Sequence, residues 1–343
     1  MAGVSAGTVD RIIHNRGRVS EESLEKVRRI LDSLGYKNNI HASAISLKKS
    51  FKVVVAIPSS EPGEYWDLVR RGIAEAEKEF CDVSLHIEMN FFDELAGASC
   101  ASVFDGILAQ EPSAVIVSST FVEETRALSV VLEKNDIPYV LLDGDVEGTH
   151  PLAVFAADQV VCGRILARLL LPLANGGEIA TLIPSRVGKR LSNNTRHRSI
   201  VFTDYLNEIG CEDSLKQCNF TVYDKAALEA ELSEFLRLNP LVRCMAVLNS
   251  TSYVVSDALR AIGRTDIRVG GFDVTENNAR CLREGTLDFV VSQQPERQGF
   301  NAVEATIRYL MYGALSTSEL PRINVEIILK ENLSQYQPSV NAE

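Results

Sequence analysis

No stretch of this sequence approaches the roughly 20 uninterrupted apolar residues that a membrane span requires. The first residues also lack the charged-then-apolar run of an export signal, so a cytoplasmic protein is expected. Cysteine supplies no framework. The seven (Cys81, Cys100, Cys162, Cys211, Cys218, Cys244 and Cys281) are odd in number and scattered, with no CxxC pair. That pattern argues against a disulfide scaffold and fits thiols in a reducing compartment. Neither G-x-S-x-G nor H-E-x-x-H occurs, and the five histidines are dispersed. "SRVGKR" (185–190) resembles a phosphate loop only superficially, because Ile183 stands where the first glycine must be and Arg190 replaces Ser/Thr. No enzymatic activity, cofactor or metal is expected. Positive charge is outnumbered as well: 35 Lys/Arg against 46 Asp/Glu give a net charge of -11, which argues against general nucleic-acid affinity. Its distribution is uneven. Residues 1–50 hold nine Lys/Arg and five Asp/Glu, a balance of +4, which leaves -15 for the remainder. A basic head on an acidic body fits a local contact with phosphate.

What the chain does contain, from Lys52 onward, is an alternation of short β-rich runs with longer amphipathic stretches. "KVVVAIP" (52–58) leads to "EYWDLVRRGIAEAEKEF" (64–80) and then "VSLHIEM" (83–89). "AVIVSS", "EETRALSVVLEKN" and "IPYVLLDGD" follow, and later "GEIATLIPS", "CMAVLNS", "IRVGGFD" and "TLDFVVSQ". Continuous Val/Ile/Leu runs separated by helices predict parallel strands covered on both faces, an α/β architecture. There are too many βα units for one sheet, so two similar lobes are expected.

Polar residues gather where the strands end: Ser59, Ser118, Asp143, Asn249, Asp273 and Gln293. In open α/β sheets the ligand crevice lies at the carboxyl ends of the strands. Two lobes facing each other across such ends would form a clamshell for a small molecule. Capping of the following helix is the competing explanation for any single position.

The first fifty residues differ in kind. Ser5 can cap a short helix in which Val9, Ile12 and Ile13 form an apolar stripe, with Thr8 and Arg11 on another face. Asn15-Arg16-Gly17-Arg18 reads as a polar loop. Ser20 caps "EESLEKVRRILDSL", which carries acids in its first turn and Gly35 at its end. Leu24, Val27, Ile30, Leu31 and Leu34 supply its buried side. "NIHASAISLKK" bridges to the first strand.

These residues resemble the lactose-repressor (LacI/GalR) family of bacterial transcription regulators. The family's V-S-x-x-T-V-x-R is present as Val4 to Arg11, followed by a basic loop, Val19-Ser20, and a helix ending Leu34-Gly35-Tyr36. The resemblance covers nearly the whole chain. It implies a small all-α helix-turn-helix head over 1–37 and a hinge helix and linker over 38–51. A two-lobed periplasmic-binding-protein-like clamshell of parallel sheets then follows. Its N-terminal lobe would take 52–157 with about 293–322, and its C-terminal lobe 158–292 with about 323–343.

By the same resemblance, Ser5 to Ile13 looks like a recognition helix for the major groove of double-stranded operator DNA. Arg11 matches the family's base-contacting arginine, whose fork can bond guanine O6 and N7 together; a solvated surface arginine is the alternative. Ser5, Thr8, Asn15, Arg16 and Arg18 would mostly contact the DNA backbone. Ala6 and Gly7 fall where operator sequence is chosen. The hinge departs from the family's P-N-x-x-A-R-x-L, reading Asn38 to Ile45 without the proline or arginine. Ile45 stands in the place of a minor-groove leucine wedge. His41 reads as an ordinary exposed histidine, with a pH sensor as the alternative.

In the body, "RHRSIVFTDYL" resembles the family's R-x-x-G-F, so Arg198 matches a ligand-contacting arginine, while Val201 replaces the glycine. Asp143, Asn249 and Asp273 match polar pocket positions, and "QQPERQG" resembles a ribose-binding type of crossover that implicates Gln293. Tyr65 and Trp66 could stack on a sugar face or pack into the core. The implied function is a ligand-responsive regulator, a repressor in this family's sense, acting as a homodimer with a small carbohydrate-like effector and no membrane contact. A receptor-like sugar sensor without effective DNA binding is the alternative. Only Met1 and Ala2 precede Gly3, so the family's first helix has no counterpart in the sequence as numbered. The expectation is that Val4, Val9, Ile13 and Val27 lose part of their cover and that this form binds operator weakly, through a start assigned too far downstream or a shortened chain.

Overall fold

A computed structural model describes residues 3–13, 19–33, 50–184, 191–222, 224–313, 315 and 320–336. The expected hinge, with Ile45 and His41, and the loop residues Asn15, Arg16 and Arg18 lie outside the described residues, as does 185–190.

In the head, α1 (Ala6–Ile13) and α2 (Glu21–Ser33) start where the capping residues predict. Ser5 Oγ accepts from the Thr8 amide at 3.1 Å, and Ser20 Oγ accepts from the Ser23 amide at 3.4 Å. Glu22 pairs with Lys26 one turn on. Val27 is buried, and Val4 and Val9 are half-buried. The expected loss of cover is therefore not seen at Val27.

The body is built from two parallel sheets. The first contains β1 (Phe51–Pro58), β2 (Leu85–Phe92), β3 (Ala114–Ser118), β4 (Tyr139–Leu142) and β5 (Ala153–Phe155), in the order β2-β1-β3-β4-β5. The second contains β6 (Glu178–Pro184), β7 (Leu215–Phe220), β8 (Val242–Val247), β9 (Arg268–Phe272), β10 (Phe289–Ser292) and β11 (Glu326–Ile328). Its order is β7-β6-β8-β9-β10-β11, and only the β10–β11 pair is antiparallel.

The helices explain why the inner strands are continuously apolar. In the first lobe α3 (Tyr65–Glu79) covers one face, together with α11 (Pro295–Tyr312); α4 (Gly97–Asp105) and α5 (Val122–Lys134) cover the other. In the second lobe α6 (Gln159–Ala174) and α7 (Asn193–Glu208) lie on one face. On the other lie α8 (Lys225–Leu238), α9 (Ser252–Ala261) and α10 (Glu276–Glu284). A strand sandwiched in this way has no solvent side, so alternation disappears from its sequence.

Two features position the cleft. The chain crosses from the first sheet to the second between β5 and α6, and returns between β10 and α11. There α11 packs directly on α3: a Cβ at Gly72 would lie 1.8 Å from the Glu296 carbonyl oxygen, and one at Gly299 would lie 2.2 Å from that of Val69. The two helices touch backbone to backbone, which only glycine permits. On the second lobe, the glycine that Val201 replaces has a counterpart across the helix pair. Gly163 on α6 faces Val201, with a Cβ there meeting Val201 Cγ1 at 2.9 Å. The bulk added to α7 is thus accommodated by the facing helix.

Candidate functional site

The carboxyl ends of both sets of strands face one another. The cleft between them is narrow, with a cavity of about 60 Å³. Tyr65, Trp66, Glu94, Thr120 and Asp143 line it from the first lobe. Ser192, Asn194, Thr195, Arg198, Asn249, Ser250, Asp273 and Gln293 line it from the second lobe and the crossover.

Two aspartates follow the fourth strand of each lobe in sheet-equivalent positions: Asp143 after β4 and Asp273 after β9. Both have left-handed backbone, φ 72° and 61°, a conformation that aspartate tolerates better than most residues. Asp143 Oδ1 accepts from the Tyr65 hydroxyl at 2.6 Å, and its amide is bonded to the Phe155 carbonyl at 3.0 Å. Asp273 is buried. Gln293 holds both of its oxygens, through the backbone amide at 3.0 Å and Nε2 at 2.8 Å. Burial pushes the Asp273 carboxyl up to about 6, opposed by the Arg198 charge and the Gln293 donors, while the Asp143 charge pushes it further up. Burial, with the negative Asp143 and Asp273 nearby, holds the Tyr65 hydroxyl well above its ordinary range. Tyr65 is therefore a proton donor at any physiological pH.

Arg198 is the cation of the site. Its Nε donates to Gln159 Oε1 at 2.7 Å, one terminal nitrogen donates to the Leu248 carbonyl at 2.9 Å, and the other donates to Gln293 Oε1. The guanidinium lies over the Phe272 ring, 3.8 Å from its centroid. Gln293 thus bridges Arg198 and Asp273, and one amide orients both charges.

The strand-end residues are not simply helix caps. The caps of the following helices are Phe121 for α5, Thr251 for α9 and Thr275 for α10, which leaves Ser118, Asn249 and Asp273 outside that role. Of the nine body residues singled out from the sequence, the structure brings seven to the cleft: Tyr65, Trp66, Asp143, Arg198, Asn249, Asp273 and Gln293. Ser59 and Ser118 are corrections. Ser59 is exposed and its Oγ donates to the Phe92 carbonyl at 3.2 Å, while Ser118 is fully buried with its Oγ 3.3 Å from Thr120 Oγ1. In each case the side chain faces its own lobe. For Tyr65 and Trp66, stacking and packing are not exclusive: both are buried core residues, their rings meet edge to face at 5.1 Å, and both border the cleft.

Sequence reasoning missed Glu94, Thr120, Ser192, Asn194, Thr195 and Ser250. A signal existed for Asn194 and Thr195, which lie four and three residues before Arg198 and so share its face of α7. Another existed for Thr120, since Ser118-Ser119-Thr120 after β3 parallels Asn249-Ser250-Thr251 after β8.

The lobes are closed on each other. Asn194 Nδ2 donates to the Asp143 carbonyl at 2.7 Å, Asn193 Nδ2 to that of Asp145 at 2.9 Å, and the Asn193 amide to that of Thr120 at 3.1 Å. At the opposite rim the Glu276 amide donates to the Gly63 carbonyl at 3.2 Å, and Arg71 pairs with Glu276 at 3.1 Å. Gly144 permits the approach of Asn193, because a Cβ there would fall 2.9 Å from Asn193 Nδ2.

In the head, Ser5, Gly7 and Arg11 are exposed and Thr8 is half-buried on α1, which also carries Ala6. No described helix is long and apolar enough to cross a membrane, and no cluster of potential metal ligands occurs among the described residues.

Comparison with known proteins agrees with this division of the chain. Residues 53–314 match the periplasmic binding protein domain family, and residues 1–39 match the lacI family of bacterial regulatory proteins. The chain is similar to the HTH-type transcriptional regulator DegA of Bacillus subtilis, 24% identical over 279 residues that span 80% of this chain and 79% of that protein. Among solved structures it is similar to a protein of Bacteroides fragilis assigned as a LacI transcriptional regulator, with 26% identity and a TM-score of 0.79 over 84% of this chain and all of that one. It also shares its fold with GanP, a glucose-galactose binding protein from Geobacillus stearothermophilus, with 18% identity and a TM-score of 0.70 over 83% and 99% of the two chains.

Proposed function

The chain belongs to the periplasmic binding protein domain family and, through its head, to the LacI family of transcriptional regulators, and on that premise we propose that it is a cytoplasmic homodimeric repressor controlled by a small polyhydroxylated effector in the cleft. The observation that carries the effector reading is the Asp273–Gln293–Arg198 network facing Asp143 across the lobes. Charged acceptors, a planar donor and amides meet around one space, beside the Tyr65 and Trp66 rings. A sugar hydroxyl both gives and accepts hydrogen bonds, so it needs both kinds of group. The relatives described above are regulators and a sugar-binding protein rather than enzymes, which supports binding and not turnover.

In this reading α1 lies in the major groove with Arg11 toward a base edge and Ser5 and Thr8 toward phosphate, and Ala6 and Gly7 allow close approach. Asn15, Arg16, Arg18 and Ile45 complete the DNA-facing set proposed from the sequence. Two heads on a two-fold axis match a pseudo-palindromic operator. Effector binding shifts the balance between lobe arrangements, and the paired hinges report that shift to the DNA.

The test is a gel shift at fixed salt with the fragment upstream of the protein's own gene, repeated while titrating monosaccharides and polyols. Sequence-specific retardation that one such compound alters supports the reading. Operator binding that none alters, with no heat of binding to any of them, overturns the effector assignment. Sedimentation of a monomer at micromolar concentration overturns the dimer.

A further inference from the structure

We infer that Gln298 is a positioning residue of the effector site, one amide that fixes the direction of the Tyr65 proton and the turn at Asp143 and ties both to Gln293. The inference rests on the cleft being the effector site and concerns how its polar groups are held. Gln298 lies in the first turn of α11, is fully buried and is not among the residues that line the cleft. Its side chain nevertheless makes three bonds to groups of the site. Oε1 accepts from the Asp143 amide at 3.2 Å, while Nε2 donates to the Tyr65 hydroxyl oxygen at 3.2 Å and to the Gln293 carbonyl at 3.0 Å. These bonds use both amide protons and the oxygen, and they leave one orientation. Turned over, Oε1 would face the Gln293 carbonyl and Nε2 the Asp143 amide, acceptor against acceptor and donor against donor.

The consequence for Tyr65 follows from counting. A phenol has one proton. Its oxygen accepts from Gln298, so that proton is committed to Asp143 Oδ1, 2.6 Å away. At Asp143 the same glutamine steadies the left-handed turn, φ 72°, whose amide is shared between Gln298 and the Phe155 carbonyl. At its other end it meets Gln293, which holds Asp273 and Arg198. Two glutamines on either side of the crossover therefore join the polar groups of both lobes into one set. The glycine contacts of α11 with α3 set the register: with the two backbones touching at Gly72 and Gly299, Gln298 is brought to the hydroxyl of Tyr65, the first residue of α3.

The test uses Q298M, Q298E and Y65F in the full chain, with thermal melting to confirm that each folds. Before any probe is added, hydrogen exchange of the peptide that ends β4 reads the Asp143 amide. Q298M should speed that amide about 10-fold, the loss of one hydrogen bond, with β8 and β9 unchanged. Q298E keeps an acceptor there and supplies at most one donor, so the amide should stay slow while binding still weakens. A merely structural role would speed both lobes together. Calorimetry follows with D-glucose, D-galactose, D-ribose and myo-inositol. Q298M should weaken the probe that the parent binds by about 10-fold, but only about 3-fold in the Y65F background, because part of its effect runs through that hydroxyl. Full additivity, unchanged exchange at Asp143, or acceleration spread over both lobes overturns the inference while the effector cleft stands. If the parent binds none of the four, the effector reading is what fails, and exchange at Asp143 alone decides the role of Gln298.

Discussion

The two lobes share one plan and use it differently. Read in the same direction, the first five strands of each sheet follow the same order, and each lobe places an aspartate with left-handed backbone after its fourth strand. Around Asp143 the first lobe sets an aromatic pair and a tyrosine hydroxyl. Around Asp273 the second lobe builds a buried charged network with an arginine and two glutamines. Equal topology therefore fixes where a functional side chain stands, while the neighbours decide what it does. The first lobe presents rings and a hydroxyl, and the second a charge held in place.

The strongest way to break the comparison is Arg198→Ala. It strips a buried cation from three acceptors and a ring face, so a loss of about 3 kcal/mol or more is expected, along with loss of effector binding. The protein has one tryptophan, Trp66, and it lies in the first lobe. Urea unfolding followed by circular dichroism should shift markedly, and the Trp66 fluorescence transition should shift less. Coincident shifts of equal size would show the lobes unfolding as one unit.

The mirror experiment is Gly299→Ala. Its Cβ meets the Val69 carbonyl at 2.2 Å, so α3 and α11 must separate. Overpacking of this kind costs about 1–3 kcal/mol, here on the first lobe and with Trp66 reporting it directly. An unchanged fluorescence midpoint would mean that the helix crossing is softer than its geometry.

A third experiment concerns pH at the crossover. Glu296, in the first turn of α11, is 7% exposed, and burial pushes its carboxyl up to about 7. A carboxyl with a raised value binds its proton more tightly folded than unfolded. Its contribution is present below about 4.5 and is lost as pH rises through 7, with a slope of at most about 1.4 kcal/mol per pH unit. The stability of E296Q, compared with the parent between pH 4.5 and 7.5, should lack that decline. Parallel curves would contradict the assignment.

The smallest effect belongs to Tyr65→Phe. The hydroxyl bonds Asp143 and also accepts from Gln298 Nε2 at 3.2 Å, so about 1 kcal/mol is expected on the first lobe. Effector affinity should weaken while operator affinity without effector stays unchanged.

Much of this was legible in advance because strands buried on both faces write themselves as Val/Ile/Leu runs: "KVVVAIP" and "AVIVSS" became β1 and β3 nearly residue for residue. The edge strand β7 was not foreseen. In its sequence, LKQCNF, only Cys218 and Phe220 are buried while Gln217 and Asn219 are exposed, so no continuous apolar run marks it. The short β5 and β11, three residues each, were not foreseen either, since so brief a run has no periodicity to read. In the cleft, Asp143, Arg198 and Asp273 could be found because they end strands or repeat a motif. Ser59 and Ser118 shared the same position in the text and still bond within their own lobe. Which side of a strand end faces the partner lobe depends on the approach of that lobe, and no local sequence encodes it. Asn194 shares a helix face with Arg198, but its bond to the Asp143 carbonyl depends on α7 meeting the first lobe.

The left-handed backbone at Asp143 and Asp273 also sets how this cleft can change over generations. Such a position accepts aspartate, asparagine and glycine readily and most other side chains at a cost. Glutamate keeps the charge and disturbs the chain; asparagine keeps the shape and discards the charge. Drift at these two places therefore runs along the axis of charge rather than size. A descendant could exchange one class of ligand for another by a single, nearly isosteric replacement in either lobe, without first having to rebuild the walls.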